Sequence, residues 1–206
     1  ACIPERGSLD GSDRLWSGMR SITNNWKRDS YFLGGDVRNF FVSIHKPTLF
    51  DILKKKISED WLLKLTEKVL FHDPRKNCFI KSKPELFAHV PRHKSLWCTE
   101  DDRALPIGNL TSQFFANVYL NELDQFVKHR LRIPYYYRYV DDFVVLHDSP
   151  KVLNKYFDQI QDFLSDKLKL ELHPFKKRIG RLDQGIDFVG YFHKPYRRYT
   201  RKRTVN

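Results

Sequence analysis

Tyr135-Tyr136-Tyr137-Arg138-Tyr139-Val140-Asp141-Asp142-Phe143-Val144-Val145-Leu146 sets two adjacent acids between two runs of aromatic and β-branched residues. Such runs favour strands, so the stretch reads as a hairpin with Val140-Asp141 at or near its tip. Neighbours on a strand point to opposite faces, but a tight turn breaks that alternation and can aim both carboxylates into one site. Two carboxylates beside so much apolar sequence repel each other and resist desolvation. A divalent cation removes both penalties, and hard oxygen ligands of this kind suit Mg²⁺. Taken alone, the pair also reads as a polar turn, because Asp is a common turn residue. Turn acids usually come with Gly or Asn, and neither accompanies this pair.

A two-metal site needs a third acid. Phe32-Leu33-Gly34-Gly35-Asp36-Val37-Arg38-Asn39-Phe40-Phe41 places Asp36 at a strand end, followed by two aromatics. Paired metals can activate an attacking oxygen and stabilise a leaving one in an in-line displacement. In phosphoryl transfer little covalent work is left to the protein beyond positioning and charge stabilisation. By itself Asp36 is an ordinary strand-end acid; with Asp141 and Asp142 it becomes a candidate ligand.

The 206 residues suffice for one large domain or two small ones, and 41% hydrophobic with 15% aromatic content is globular. No apolar run approaches a membrane span and no signal-peptide pattern is present, so no membrane role is expected. Cys2, Cys78 and Cys98 are widely spaced without a Cys-x-x-Cys pair. This argues against a disulfide framework or zinc site and fits a reducing cytoplasm. The net charge of +12 suggests a polyanionic partner. Lys194 to Asn206 carries six Lys or Arg and no acid, with Tyr196 and Tyr199 interleaved. That segment reads either as a frayed tail or as a strip contacting phosphates.

Along the chain, Ala1 to Gly11 is rich in turn residues. Ser12 is a candidate N-cap for a helix carrying Leu15, Met19, Ile22 and Trp26. A short strand leads from Tyr31 into Asp36. Pro47 and Ser58 open two helices, and Asp73 to Ala104 is a long irregular stretch of the kind that is functional or partly disordered. Thr111 or Ser112 caps a helix through His129. Ser149-Pro150 starts another, whose stripe of Leu153, Phe157, Ile160 and Leu164 reads as core. Leu168 to Leu172 and Ile186 to Phe192 read as later strands. The order of elements is α+β, a small sheet with helices on one side.

These blocks together resemble a reverse transcriptase, specifically that of a diversity-generating retroelement. Phe32 to Ile44 is similar to the family's first catalytic block, and Leu105-Pro106-Ile107-Gly108-Asn109-Leu110-Thr111-Ser112-Gln113 to its middle block. Tyr139 to Asp142 resembles the catalytic Tyr-x-Asp-Asp hairpin. Leu170-Glu171-Leu172-His173-Pro174-Phe175-Lys176 resembles a later lysine-bearing block, and Phe188-Val189-Gly190-Tyr191 the primer-grip hairpin. Val90 to Leu96, in the long loop, also has the look of this subfamily. Five blocks in order cover almost the whole chain.

The resemblance implies a right-hand polymerase: α+β fingers and palm, an antiparallel palm sheet packed on helices, and a thumb largely absent. It divides the chain into partial fingers (1–30), palm with the first catalytic block (31–57), a fingers or insertion region (58–104), palm with the catalytic hairpin (105–187), and primer-grip hairpin with basic tail (188–206). It implies that Asp36, Asp141 and Asp142, with the carbonyl of Val37, hold two Mg²⁺ ions, for which Mn²⁺ can substitute. Lys176 is implied as the general acid protonating pyrophosphate; without the pattern it reads as a surface lysine. Asn39 and Phe40 offer backbone amides to the triphosphate, and Phe41 stands at the position that excludes a ribose 2′-hydroxyl. Ile107, Gly108, Ser112 and Gln113 complete the implied nucleotide-binding set.

Most reverse transcriptases have Gln where this chain has Ile107, and Pro where it has Gln113. Loss of a polar positioning contact lowers discrimination between right and wrong pairs. The resemblance therefore implies error-prone copying of a template-repeat RNA, opposite adenines above all. It further implies a primer strand, deoxynucleotides and a basic helical-bundle accessory protein as partners, in a prokaryotic or phage-encoded cytoplasmic setting. Other prokaryotic types (group II intron, retron or defence) and an inactive nucleic-acid-binding relative are the alternatives. Gly34-Gly35 is looser than the Lys-bearing segment common before the first aspartate.

Overall fold

The computed structural model describes residues 7–201. The readings at residues 1–6 and at Lys202 to Asn206 lie outside the described residues. The chain forms α1 (Ser8–Ile22), β1 (Tyr31–Asp36), α2 (Phe40–Ser43), α3 (Lys46–Lys54), α4 (Asp60–Phe71) and α5 (Leu110–Gln125), then β2 (Tyr136–Tyr139), β3 (Asp142–His147), α6 (Pro150–Leu168), β4 (Arg178–Arg181), β5 (Ile186–Phe188), β6 (Tyr191–Lys194) and β7 (Arg197–Thr200). Contacts group these into two units. One comprises Ala1–Val37, Glu122–Leu164 and Glu171–Asn206; the other Arg38–Asn121 and Ser165–Leu170. No helix among the described residues is long and apolar enough to cross a membrane.

The first unit holds two antiparallel sheets, where the sequence suggested one. In the larger, strands run in the order β2-β3-β1-β4. Its centre is β3, where Phe143, Val144, Val145 and Leu146 are all buried. Register places Asp36 opposite Asp142 and Gly35 opposite Phe143. The Phe143 ring lies so close over Gly35 that a Cβ there would sit 2.3 Å from it. Gly35 is thus a packing requirement and not a loose spacer. On α1, Leu15 and Met19 are fully buried with Val144, Leu146, Leu182, Ile186 and Phe188. Each such side chain stabilises the fold by roughly 1.5–3 kcal/mol.

The smaller sheet runs β5-β6-β7. Its first turn is Val189-Gly190, with φ of 46° and 86°. Positive φ at both central residues is the hairpin turn whose twist matches the flanking strands. The sequence reading of one strand from Ile186 to Phe192 is therefore corrected to a hairpin. Part of the basic segment is ordered too, since Arg197–Thr200 is a strand and not a frayed tail.

Three further boundaries differ from the sequence reading. Ser12 is no N-cap: α1 begins at Ser8, and Ser12 is buried inside it, bonded to the fully buried His193. His193 Nδ1 faces the Ile186 carbonyl at 3.2 Å, so that nitrogen carries the proton and Nε2 accepts from the Ser12 hydroxyl at 2.8 Å. Trp26 falls beyond the helix, after a left-handed run at Asn24 and Asn25. Leu168 to Leu172 is no strand, because α6 continues through Leu168 and only Leu172 bridges to Val37.

The second unit is helical. His45 caps α3 through its ring, accepting from the Thr48 amide. Helix α4 starts at Asp60, two residues later than Ser58 suggested, and packs on α3 through an edge-to-face Phe50–Phe71 pair. The stretch 73–104 contains three short 3₁₀ turns, at Pro84–His89, Arg92–Lys94 and Leu96–Cys98. Arg75 ties its ends, bonding Asp73, the Thr99 carbonyl and Asp101. Helix α5 begins at Leu110, so Ser112 is a buried first-turn residue and not the cap. After Gln125 the chain widens into a π-helical turn, Phe126–Arg130.

Candidate active site

The site forms where β1 and β3 end side by side. Asp36 is 7% exposed and is the last residue of β1; Asp142 is the first residue of β3. Asp141 occupies the two-residue turn between Tyr139 and Asp142, which pair across the hairpin. The Val37 amide donates to the Asp141 carbonyl at 3.3 Å, tying the turn to the end of β1. The hairpin read from the sequence is the one observed, and it brings the three aspartates together.

Their electrostatics follow from that gathering. Burial pushes the Asp142 carboxyl up to about 6, helped by the charges of Asp36 and Asp141. The side chain of Asp36, opposite Asp142, favours the protonated form and adds to the rise. Asp141 is also raised, first by burial and then by Asp36. Lys176 opposes both shifts. Its Nζ donates to Asp36 Oδ2 at 2.7 Å, while its side chain stays 52% exposed. Two backbone bonds place it: the His173 amide donates to the Asp36 carbonyl at 2.8 Å, and the Lys176 amide to the His173 carbonyl at 3.1 Å.

Among the described residues no three His, Cys, Asp or Glu side chains form a ready-made metal cage. Asp36 faces Asp142 across the paired strands and takes the Lys176 ammonium on its Oδ2. The donor chemistry nevertheless fits a hard divalent cation. Three acids held near one another, two of them reluctant to ionise, offer the oxygens Mg²⁺ prefers and gain from its charge. Val37 is 1% exposed beside them.

Phe188, Val189, Gly190 and Tyr191, for which the resemblance implies a primer grip, form the β5–β6 turn, also in this unit. A cleft of about 680 Å³ in this unit is lined by Asp10, Arg14, Lys128, Tyr137 and Phe188 among others, and by none of the three aspartates.

The remaining sequence-selected residues belong to the second unit. Asn39 is left-handed at φ 47° and precedes the short helix that buries Phe40. Phe41 is half-buried, and its carbonyl accepts from the Leu105 amide at 2.8 Å, which joins the first catalytic block to the middle block. Ile107 is 79% exposed. Gly108 has φ of 107°. Ser112 is buried and lines a pocket of about 400 Å³ with Leu65, Pro106 and Phe115; Gln113 is exposed. Arg138 and Asp124, which the sequence reading passed over, support the hairpin directly and are taken up below.

A family model described as "Reverse transcriptase (RNA-dependent DNA polymerase)" matches residues 5–193. The chain belongs to the reverse transcriptase family. A curated relative, an uncharacterized 91 kDa protein in a cob intron of Schizosaccharomyces pombe, is 28% identical over 112 residues, covering 54% of this chain and 12% of that protein. Among solved structures, apo telomerase from Candida tropicalis truncated from its C-terminal domain superposes with a TM-score of 0.66 at 13% identity, over 94% of this chain and 40% of that one. Telomerase from the same organism in complex with a TWJ fragment of telomeric RNA gives 0.64 at 13% identity, over 90% and 32%. At such identity the likeness shows the reverse transcriptase fold, fingers and palm, which agrees with the fold class read from the sequence. The chain spans less than half the length of each of these proteins.

Proposed function

We propose that this chain carries the polymerising centre of an RNA-directed DNA polymerase, extending a primer 3′-hydroxyl with deoxynucleotides along an RNA template. The observation that carries this reading is the convergence of Asp36, Asp141 and Asp142 at paired strand ends, with Lys176 on Asp36. Asp36, Asp141 and Asp142, with the Val37 carbonyl, would hold the metals. Bound divalent cations, two Mg²⁺ or Mn²⁺ in their place, supply the charge that eases deprotonation of the 3′-hydroxyl and neutralises the leaving pyrophosphate. The chain's own residues then have distinct tasks. Burial of Asp36, 7% exposed, shields its carboxylate from bulk water and strengthens its hold on charge at the site. Lys176 holds a proton on Nζ and delivers it to the leaving pyrophosphate oxygen. In the β5–β6 turn, Phe188 to Tyr191 orient the primer end.

For the second unit we carry over the roles the resemblance implies. Asn39 and Phe40 present amides to the triphosphate, and the Phe41 ring bars a 2′-hydroxyl. Ile107, Gly108, Ser112 and Gln113 face the nucleotide and its template base. The five-part division into fingers, palm, insertion, palm and primer grip belongs to the same proposal, as does a cytoplasmic, prokaryotic or phage setting.

The finer reading is a diversity-generating retroelement, copying a template-repeat RNA with errors and served by a basic helical-bundle accessory protein. Its support is Ile107, an apolar side chain largely open to solvent where a polar positioning contact is usual. A second reading, an intron-type reverse transcriptase, draws support from the cob-intron relative.

Primer extension on an RNA template with Mg²⁺ and four deoxynucleotides, comparing the parent with Asp141→Asn, tests the activity. Product from the parent alone is expected. Product from neither, or equally from both, overturns the reading. Sequencing the product separates the subtypes: substitutions clustered opposite template adenines favour the retroelement, and faithful copying the intron type.

A further inference from the structure

The turn carrying Asp141 is strained. Val140 sits at φ 54°, in the left-handed region. A β-branched side chain is an outlier there, and such conformations cost roughly 1–3 kcal/mol and persist only where surrounding structure over-determines them. The over-determining group is Arg138. Its Nη1 donates to the Val140 carbonyl at 2.7 Å. Its Nε and Nη2 donate to the two carboxylate oxygens of Asp124, at 2.8 and 2.5 Å. The Tyr136 hydroxyl donates to the same carboxylate at 2.9 Å.

This set is largely shielded from solvent. The Arg138 side chain is 11% exposed and that of Asp124 21%. Asp124 stands in the last turn of α5, next to the fully buried Leu123. A planar guanidinium can grip one carboxylate with two parallel bonds and still direct a third N–H elsewhere. A lysine ammonium cannot reproduce that fork. The bond to the Val140 carbonyl also fixes the peptide that leads into Asp141.

We propose that Arg138, anchored by Asp124, is a positioning residue: its fork locks the Val140-Asp141 turn in the strained form that presents Asp141 and Asp142 to their ligands. Arg138 acts through the turn, since its bonds go to Asp124 and to the Val140 carbonyl. The inference rests on reading these carboxylates as the metal-binding centre. Loss of the fork lets Val140 relax toward negative φ, and Asp141 swings with it.

The test uses Arg138→Lys, Val140→Gly and the double variant. Three measurements are made: stability in urea, the Mg²⁺-dependent rise in melting temperature, and the Mg²⁺ half-saturation of primer extension. Supporting structure around a metal site typically governs affinity by about 10–100-fold. Arg138→Lys is therefore expected to fold, to raise the Mg²⁺ requirement about tenfold or more, and to leave the KM for primer-template within about twofold. Glycine adopts positive φ without strain, whereas Val140 regains its strain energy when it relaxes, so Arg138→Lys should cost more stability in the Val140→Gly background than in the parent. Equal costs in both backgrounds together with an unchanged Mg²⁺ requirement would make Arg138 an ordinary strut and overturn the proposal. If the parent extends no primer, the polymerase reading falls. The urea cycle and the Mg²⁺-dependent melting shift then still decide the role of Arg138: a weaker shift in Arg138→Lys supports it, and an unchanged shift refutes it.

Discussion

Replacing Asp142 by Asn should make the metal-free protein more stable while it disables the centre. Burial and the charges of Asp36 and Asp141 push the Asp142 carboxyl from 3.8 to about 6. At about 1.4 kcal/mol per unit this amounts to about 3 kcal/mol for a fully desolvated group. Asp142 is only half-buried, and screening by solvent brings the figure to roughly 1–2 kcal/mol. The folded state binds this proton more tightly than the unfolded chain does. The associated stability is present below about pH 4 and is lost as pH rises through about 6. At pH 7.5 the ionised carboxylate therefore burdens the fold, and Asn, of the same size and uncharged, removes the burden. Thermal melts in EDTA should show Asp142→Asn melting about 3–6 °C above the parent at pH 7.5, with the gap closing at pH 4.5. Mg²⁺ at ten times its Kd should stabilise the parent by about 1.4 kcal/mol and the variant by less. A variant no more stable than the parent at pH 7.5, or a gap independent of pH, would refute the reasoning.

Two further outcomes test the scaffold beneath the site. Gly35→Ala drives a Cβ into the buried Phe143 ring; overpacking of this kind should cost roughly 1–3 kcal/mol in urea denaturation. Adding Phe143→Leu should recover part of that loss, and no recovery would mean that backbone freedom at residue 35 matters instead. His193 is held neutral by burial, which lowers its pKa. The unfolded chain takes up that proton first, so this contribution to stability falls as pH drops below about 6.5. Asp142 pulls the opposite way, so the readout is the difference from His193→Gln between pH 7.5 and 5.5. Parallel slopes for parent and variant would count against a buried neutral His193.

The Asp141-Asp142 hairpin was legible because its signals are local. Aromatic and β-branched runs around two acids specify strands and a turn within a dozen residues, and the flanking pattern needs no partner to be read. Asp36 was legible for the same reason, as an acid at the end of a short apolar strand. Helix starts fared worse. Ser12 and Ser112 look like caps in sequence, yet both are buried polar residues inside helices that begin earlier. Local propensity for capping yields where packing can use the hydroxyl, as His193 uses that of Ser12. Leu168 to Leu172 has strand composition, but the α6 stripe of Leu153, Phe157, Ile160 and Leu164 carries the helix through Leu168.

By itself the sequence determined the chemistry available to this protein: three aspartates, a lysine and a hairpin to display two of the acids, in an order shared with the reverse transcriptases. Only the tertiary structure decided how those groups act on one another. The pairing of Asp36 with Asp142, the lysine on Asp36 and the fork of Arg138 on Asp124 and Val140 join residues up to 140 positions apart. No local signal encodes such contacts. They exist because antiparallel register brings two strand ends together and because burial makes each unpaired charge too costly to leave alone.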